Sequence, residues 1–335
     1  MDAVLTALVE DRIGPGEQAR QLIQIAREKL EFDSCIALRS PAIALFYTLK
    51  SLGLEAGQGV ILSALSPLYY LNVLNDLKLQ PVYADVPQGG VNISKETIEK
   101  AIEQKPEGCE IRAVLLHHTL GYISDISVSE LGIPIIEDCS CSYGSMYRAQ
   151  ANSGIFSILG LEERDMLTAG CGALLYTANR RDSALLRNTQ FSNLPPEYGL
   201  PDMNASMAIA QFRSAAKNLE KRREIAAAYS QSAGRTRHKR FIHEVTDTES
   251  GEGYNNYAFP LILETGMKDV KAYARRKDII VESAFENTLM GLGIVPAEKC
   301  PESYSLSLRT VLFPLYPRLR TEEINKVAKL ILTLP

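Results

Sequence analysis

Short runs of consecutive apolar, often β-branched residues recur along the first half of this chain, each closed off by glycine, proline or polar residues. Such runs, lacking a polar face, predict strands buried on both sides. They fall at Gly59–Leu62, Pro81–Ala84, Ala113–His117, Ile133–Glu137 and Ala173–Thr177. Between them apolar positions return every three or four residues, which predicts helices over Gln18–Leu30, Ala42–Leu52, Leu68–Leu77 and Lys95–Gln104. The segments ILSALSP and VNISKE supply N-terminal caps for the last two. Strand and helix alternating in this way imply an α/β fold with a mostly parallel, doubly wound sheet.

A long helical stretch, Asn204–Ser230, leaves that layer, and the glycine- and acid-rich HEVTDTESGEGYNN at 243–256 reads as a linker or exposed loop. From Tyr257 a smaller α+β unit is expected. Its parts are the strand AFPLILE, a helix over Lys268–Arg276, a strand at Asp278–Ser283 and a closing helix opened by Thr321, Glu322 and Glu323. The expected division is a large domain over 1–240 and a small C-terminal domain over 241–335.

Composition narrows the function classes. At 335 residues, 46% hydrophobic and 23% charged, the chain is long enough for a large core plus an appended unit. Thirty-six basic against 40 acidic residues leave a net charge of -4, without the basic surplus of a nucleic-acid binder. The start, MDAVLTALVEDR, lacks the basic flank of a signal peptide, and the longest apolar run, Gly59–Leu74, is too short and polar to span a bilayer. A cytoplasmic protein is expected. The six cysteines, at 35, 109, 139, 141, 171 and 300, form no CxxC pair, so neither a disulfide framework nor a metal site is indicated.

The chemistry concentrates at IPIIEDCSCSYGS (133–145), a buried strand ending in an acidic pair and a small-residue turn, and at LTAGCGALLYT (167–177). With IGPGEQARQLIQIAREKL, LGLEAGQGVILSALSP, LQPVYADV, AVLLHHTLGYISDI, KRREIAAAYSQ and LFPLYPRLRTEEINKVAKLI in the same order, these segments resemble the DegT/DnrJ family of sugar aminotransferases. Those are fold-type-I pyridoxal phosphate enzymes that act on nucleotide-linked keto sugars. The resemblance covers nearly the whole chain and implies a large α/β domain, a small C-terminal domain and a homodimer with its sites between subunits.

Carried over residue by residue, it places Asp138 where a carboxylate faces the pyridine nitrogen. An acid at the end of a buried strand also serves as a cap or holds a loop amide, and that role stays open. Cys141 takes the place of a Gln or His near the ring. Ser40, Pro41 and Ala42 fall on the small-residue turn that holds phosphate at a helix N-terminus; proline there removes an N–H and alanine a hydroxyl. Pro67 falls on the aromatic residue that stacks on the ring. Tyr69 and Tyr70 follow but are rotated away on the helix, and read as core or interface aromatics. Ser157 matches a serine that helps hold phosphate. His118 reads as structural, satisfied by backbone, and YGLPDMN at 198–204 stands for a segment that reaches the partner's phosphate, here without its arginine.

The lysine that tethers the cofactor falls within Glu162, Glu163, Arg164 and Asp165, none of which is a lysine, and no lysine occurs between Lys105 and Lys217. Histidine, which replaces it in some dehydratases of the family, is also missing between 118 and 238. An arginine supplies neither nucleophile nor base at neutral pH. The expected function is therefore a nucleotide-sugar or other small-ligand protein, or a partner subunit, with a degenerate coenzyme site and no covalently held cofactor. The alternative is an active aminotransferase of nucleotide-sugar or polysaccharide biosynthesis that holds pyridoxal or pyridoxamine phosphate without a covalent bond.

Overall fold

The computed structural model describes residues 2–9, 13–124, 126–145, 154–186, 193–241, 253–264 and 266–335. Seven strands, β1 (Ser34–Leu38), β2 (Gly59–Ser63), β3 (Gln80–Ala84), β4 (Ile111–His117), β5 (Ile135–Asp138), β6 (Phe156–Gly160) and β7 (Ala173–Thr177), form one sheet in the order β1-β7-β6-β5-β4-β2-β3. The β3-β2-β4-β5-β6 block is parallel, and β7 and β1 close it antiparallel. Every residue of β2, β5, β6 and β7 is buried, as continuous apolar runs require. The α/β class with a mostly parallel sheet is thus as expected. β1 and β6 were not among the expected strands: SCIAL has only one β-branched residue and lies at the sheet edge, partly exposed.

Helices α1 (Asp2–Val9), α2 (Glu17–Leu30), α3 (Pro41–Ser51), α4 (Leu68–Asp76), α5 (Lys95–Glu103), α6 (Ser183–Leu186) and α7 (Asp202–Ala233) accompany this sheet. The expected cap of α5 forms: Thr97 N donates to Ser94 Oγ at 3.3 Å and Ser94 N to Thr97 Oγ1 at 3.0 Å. The one expected for α4 does not, because Pro67 precedes the helix and makes no side-chain cap. One sheet face packs Leu45, Leu62, Leu115, Phe156, Ile158 and Leu175 beneath α3 and α4. The other packs Leu22, Leu174, Tyr176, Ala208 and Phe212 beneath α2 and α7.

A second, antiparallel sheet orders β8 (Phe259–Ile262), β10 (Thr310–Phe313) and β9 (Glu282–Ser283) as β8-β10-β9, with α8 (Met267–Arg275), α9 (Pro301–Arg309) and α10 (Thr321–Leu332) around it. The strand expected over Asp278–Ser283 shrinks to its last two residues, since Asp278 takes a left-handed φ of 49° that breaks an extended run. Ile225, Tyr229, Phe259, Leu261, Val311 and Val327 form the core of this unit. α7 therefore belongs to both cores, its first half to the large sheet and its second to the small one. The chain after β9 returns to the large unit, where Leu289 N donates to Ser66 O and Met290 N to Ala64 O at 3.0 and 2.9 Å, and Phe285, Leu289 and Cys300 join the first core. No helix among the described residues is long and apolar enough to cross a membrane.

Candidate functional site

Asp138 ends β5 on the face covered by α3 and α4, and is only 3% exposed. Its Oδ1 accepts from Ser140 N at 3.0 Å and Ser140 Oγ at 2.5 Å. Its Oδ2 accepts from Tyr69 Oη at 2.6 Å and Tyr70 Oη at 2.9 Å. Read from helical rotation as turned away from the stacking position and as core or interface aromatics, Tyr69 and Tyr70 do pack in the core, but their hydroxyls also reach Asp138. α4 docks with its N-terminus over the end of β5, and both phenols are long enough to converge on one oxygen, their rings meeting edge-on with centroids 4.8 Å apart. Burial by itself would raise the Asp138 carboxyl; His117, Ser140 and Tyr69 outweigh it and hold the group below the usual carboxylate range. Burial pushes His117's own pKa down, so at neutral pH the imidazole is uncharged and the hydrogen bonds carry the effect.

Of the four residues to which the resemblance assigns the tethering lysine, Glu162 and Asp165 are partly buried, and the Asp165 carboxylate turns back onto the chain. Its Oδ2 accepts from Glu162 N at 2.7 Å. A side chain on Gly160 would meet Asp165 Oδ2 on one side and Ser140 Oγ, 2.6 Å away, on the other, so the second carboxyl lies beside the donor that holds Asp138. Burial, and then the charge of Asp138, push the Asp165 carboxyl up to about 7. Glu163 is exposed, and Arg164 reaches outward to an ion pair with Glu282 at 3.5 Å.

Cys141 lies next to Tyr257. The Tyr257 hydroxyl donates to Arg164 O at 2.6 Å and also bonds the Cys141 thiol, whose pKa is raised by burial and by Asp165 and Asp138, so it stays protonated at neutral pH. Tyr257, with Asp165, Arg164 and Tyr143, lines a cleft of about 1160 Å³ between the two sheets, closed on the far side by Ile280, Glu282 and Tyr316.

The segment expected as a linker is built into this region as far as it is described; residues 243–252 lie outside the described residues. Asn255 is 3% exposed, and its Nδ2 donates to Cys141 O at 2.7 Å and Tyr143 O at 3.0 Å. Tyr254 Oη donates to Leu120 O at 2.9 Å.

The other expected residues are dispersed. Ser40 Oγ accepts from Ile43 N at 3.2 Å as the cap of α3, Pro41 occupies the first helical position and is buried, and Ala42 follows it. Pro67 makes an isolated bridge with Thr288. Ser157 sits in register with Glu137 and Tyr176, on the sheet face opposite Asp138, and bonds the Tyr176 hydroxyl. His118 Nδ1 accepts from Ser124 N at 3.2 Å, a backbone partner of the kind expected. His118, Glu137 and Cys139 bring ligand-type atoms within 4.8 Å of one another. With Nδ1 accepting, the ring proton sits on Nε2, which then presents a donor and not a lone pair to a cation.

The sequence model of the DegT/DnrJ/EryC1/StrS aminotransferase family matches residues 1–332. A dTDP-4-dehydro-2,3,6-trideoxy-D-glucose 4-aminotransferase from Saccharopolyspora spinosa is 24% identical over 98% of this chain and 92% of its own length. Among solved structures, the aminotransferase TlmJ from Streptoalloteichus hindustanus superposes with a TM-score of 0.85 at 18% identity, covering 98% of this chain and 94% of that one. The PLP-form of the putative sugar aminotransferase Spr1654 from Streptococcus pneumoniae gives 0.84 at 17% identity, covering 99% and 96%.

Proposed function

Since the chain belongs to the DegT/DnrJ/EryC1/StrS aminotransferase family, we propose that it serves nucleotide-sugar or cell-surface polysaccharide biosynthesis by binding a nucleotide-linked sugar or similar small ligand in the cleft between its sheets. In this reading it forms no imine between its own side chain and pyridoxal phosphate. It works as a cytoplasmic homodimer or as the partner subunit of an active relative, with parts 1–240 and 241–335 bounding the site.

One observation supports the reading: the Asp165 carboxyl turns inward within the stretch to which the resemblance assigns the tethering amine. The residues do not fit pyridoxal phosphate as a resident group. An imine requires a primary amine, Ser40 Oγ is engaged as a helix cap, and Asp138 already accepts four hydrogen bonds. What remains is a partly buried proton store: Asp165, with a pKa of about 7, can hold or release a proton at the cleft wall near neutrality.

The test is to incubate the purified protein with pyridoxal phosphate, reduce with borohydride and map the labelled peptide. No reducible adduct at a single internal lysine is expected. Stoichiometric labelling of one lysine would end this reading.

The comparisons favour a second reading over the first. The Saccharopolyspora spinosa relative, TlmJ and Spr1654 are aminotransferases by name, and Spr1654 has both PLP- and PMP-forms. Under it the chain is an active aminotransferase whose pyridoxal or pyridoxamine phosphate is held noncovalently beside Asp138. Turnover of an amino donor that survives alanine at Glu162, Glu163, Arg164 and Asp165, but not Asp138→Ala, would establish it.

A further inference from the structure

The donors around Asp138 carry a consequence for ligand binding that is separate from the missing amine. We infer that Tyr69 and Tyr70 occupy, from within the chain, the acceptor positions on Asp138 that a protonated pyridine ring would need, so that this carboxylate receives neither pyridoxal nor pyridoxamine phosphate.

A carboxylate offers about four lone-pair positions. Here Ser140 N and Ser140 Oγ take those of Oδ1, and the phenols of Tyr69 and Tyr70 those of Oδ2. Neither side of the arrangement is loosely held. Ser140 Oγ accepts from Gly160 N at 2.8 Å while it donates to Asp138, so the hydroxyl is fixed from both ends. Tyr70 is 2% exposed and packs edge-on against Tyr69 and against His117, its centroid 6.2 Å from the latter's. A ring nitrogen donor arriving at Oδ2 would have to expel a phenol into a buried setting, where the hydroxyl loses its partner.

The pair also answers what a buried carboxylate demands of its surroundings. An anion removed from water needs donors on both oxygens, and where a bound cofactor does not supply them the chain must. Tyr69, which is half-buried, is the member whose truncation disturbs the core less than that of Tyr70.

The inference rests on the first functional reading only in expecting the site to be degenerate, and pyridoxamine phosphate separates the two. That molecule has no aldehyde, so its binding does not depend on imine formation, and the Asp138→Asn comparison isolates the carboxylate's share, whereas imine formation is read by borohydride labelling with the aldehyde. Isothermal titration of the full-length protein with pyridoxamine phosphate is expected to show no saturable binding up to about 1 mM. Tyr69→Ala, which frees one acceptor and opens space, should bind at least roughly tenfold more tightly, and adding Asp138→Asn should abolish the gain in a protein that thermal melting shows to be folded. Micromolar binding by the unaltered protein that Asp138→Asn abolishes would overturn the inference. So would a Tyr69→Ala protein that binds no better than its parent.

Discussion

Asp85, just past the end of β3, grips Ser303 in the first turn of α9: its Oδ1 accepts from Ser303 N at 2.8 Å and from Ser303 Oγ at 2.6 Å. Its Oδ2 takes Glu302 N at 2.9 Å. A carboxylate more than 200 residues upstream thus caps the helix, satisfying first-turn amides that α9 cannot satisfy itself. Asp85→Ala should cost about 1–3 kcal/mol, and Asp85→Asn, which keeps an acceptor, clearly less. Urea denaturation midpoints at constant m-value measure both.

Asp138→Asn should destabilise the fold by about 2–4 kcal/mol, because an amide sets two donors against the surrounding hydroxyls. Tyr70→Phe, which removes one donor and leaves three, should cost only about 1 kcal/mol. The Asp138 contribution is present above the unfolded-state carboxyl pKa and is lost as pH falls through the lower folded-state value, so the gap between wild type and Asp138→Asn should narrow in acid. Equal losses for the two variants at neutral pH would contradict the network.

Asp165 behaves in the opposite sense. Its folded-state pKa of about 7 lies above the unfolded value, so the folded chain binds the extra proton and stability falls as pH rises from the unfolded pKa to about 7. Asp165→Asn cannot ionise and keeps an acceptor for Glu162 N. Relative to wild type it should gain on the order of 2 kcal/mol between pH 4 and 8, the full shift being discounted because the carboxyl is only partly buried. Denaturation curves across that range would show parallel pH profiles if Asp165 ionised normally.

Gly121 takes a φ of 84°, and a Cβ there would stand 2.5 Å from Asn255 Oδ1 and 2.9 Å from Cys141 O. Gly121→Ala combines left-handed strain with a clash against backbone, and should lower stability by about 2–4 kcal/mol. It should also displace Asn255 from the 141–143 turn. Thermal melting tests the first effect, and amide exchange at 141–143 the second.

Much of the fold was legible because burial on both faces leaves a mark on sequence: GVILS, AVLLH and ALLYT are apolar without interruption. β1 and β10 leave no such mark, being strands of five and four residues whose place is set by partners far along the chain. Near the site, the sequence shows directly that no lysine lies between Lys105 and Lys217. The phenols on Asp138 are not legible in this way, because their direction depends on how α4 sits over β5, which helical periodicity does not specify. Asn255 was hidden for another reason. Its glycine-rich, polar neighbourhood has the composition of a loop, and only its two carbonyl partners at Cys141 and Tyr143 show that it is a tie.

α7 runs 32 residues without glycine or proline, about 48 Å of uninterrupted helix. Because one end is seated in each hydrophobic core, it acts as a rigid beam, and the two sheets cannot swing about the point where the chain passes between them. The width of the entrance beside Arg164 and Glu282 is then set when the protein folds, not when a ligand arrives. Small-angle scattering should give one radius of gyration with or without a saturating nucleotide sugar.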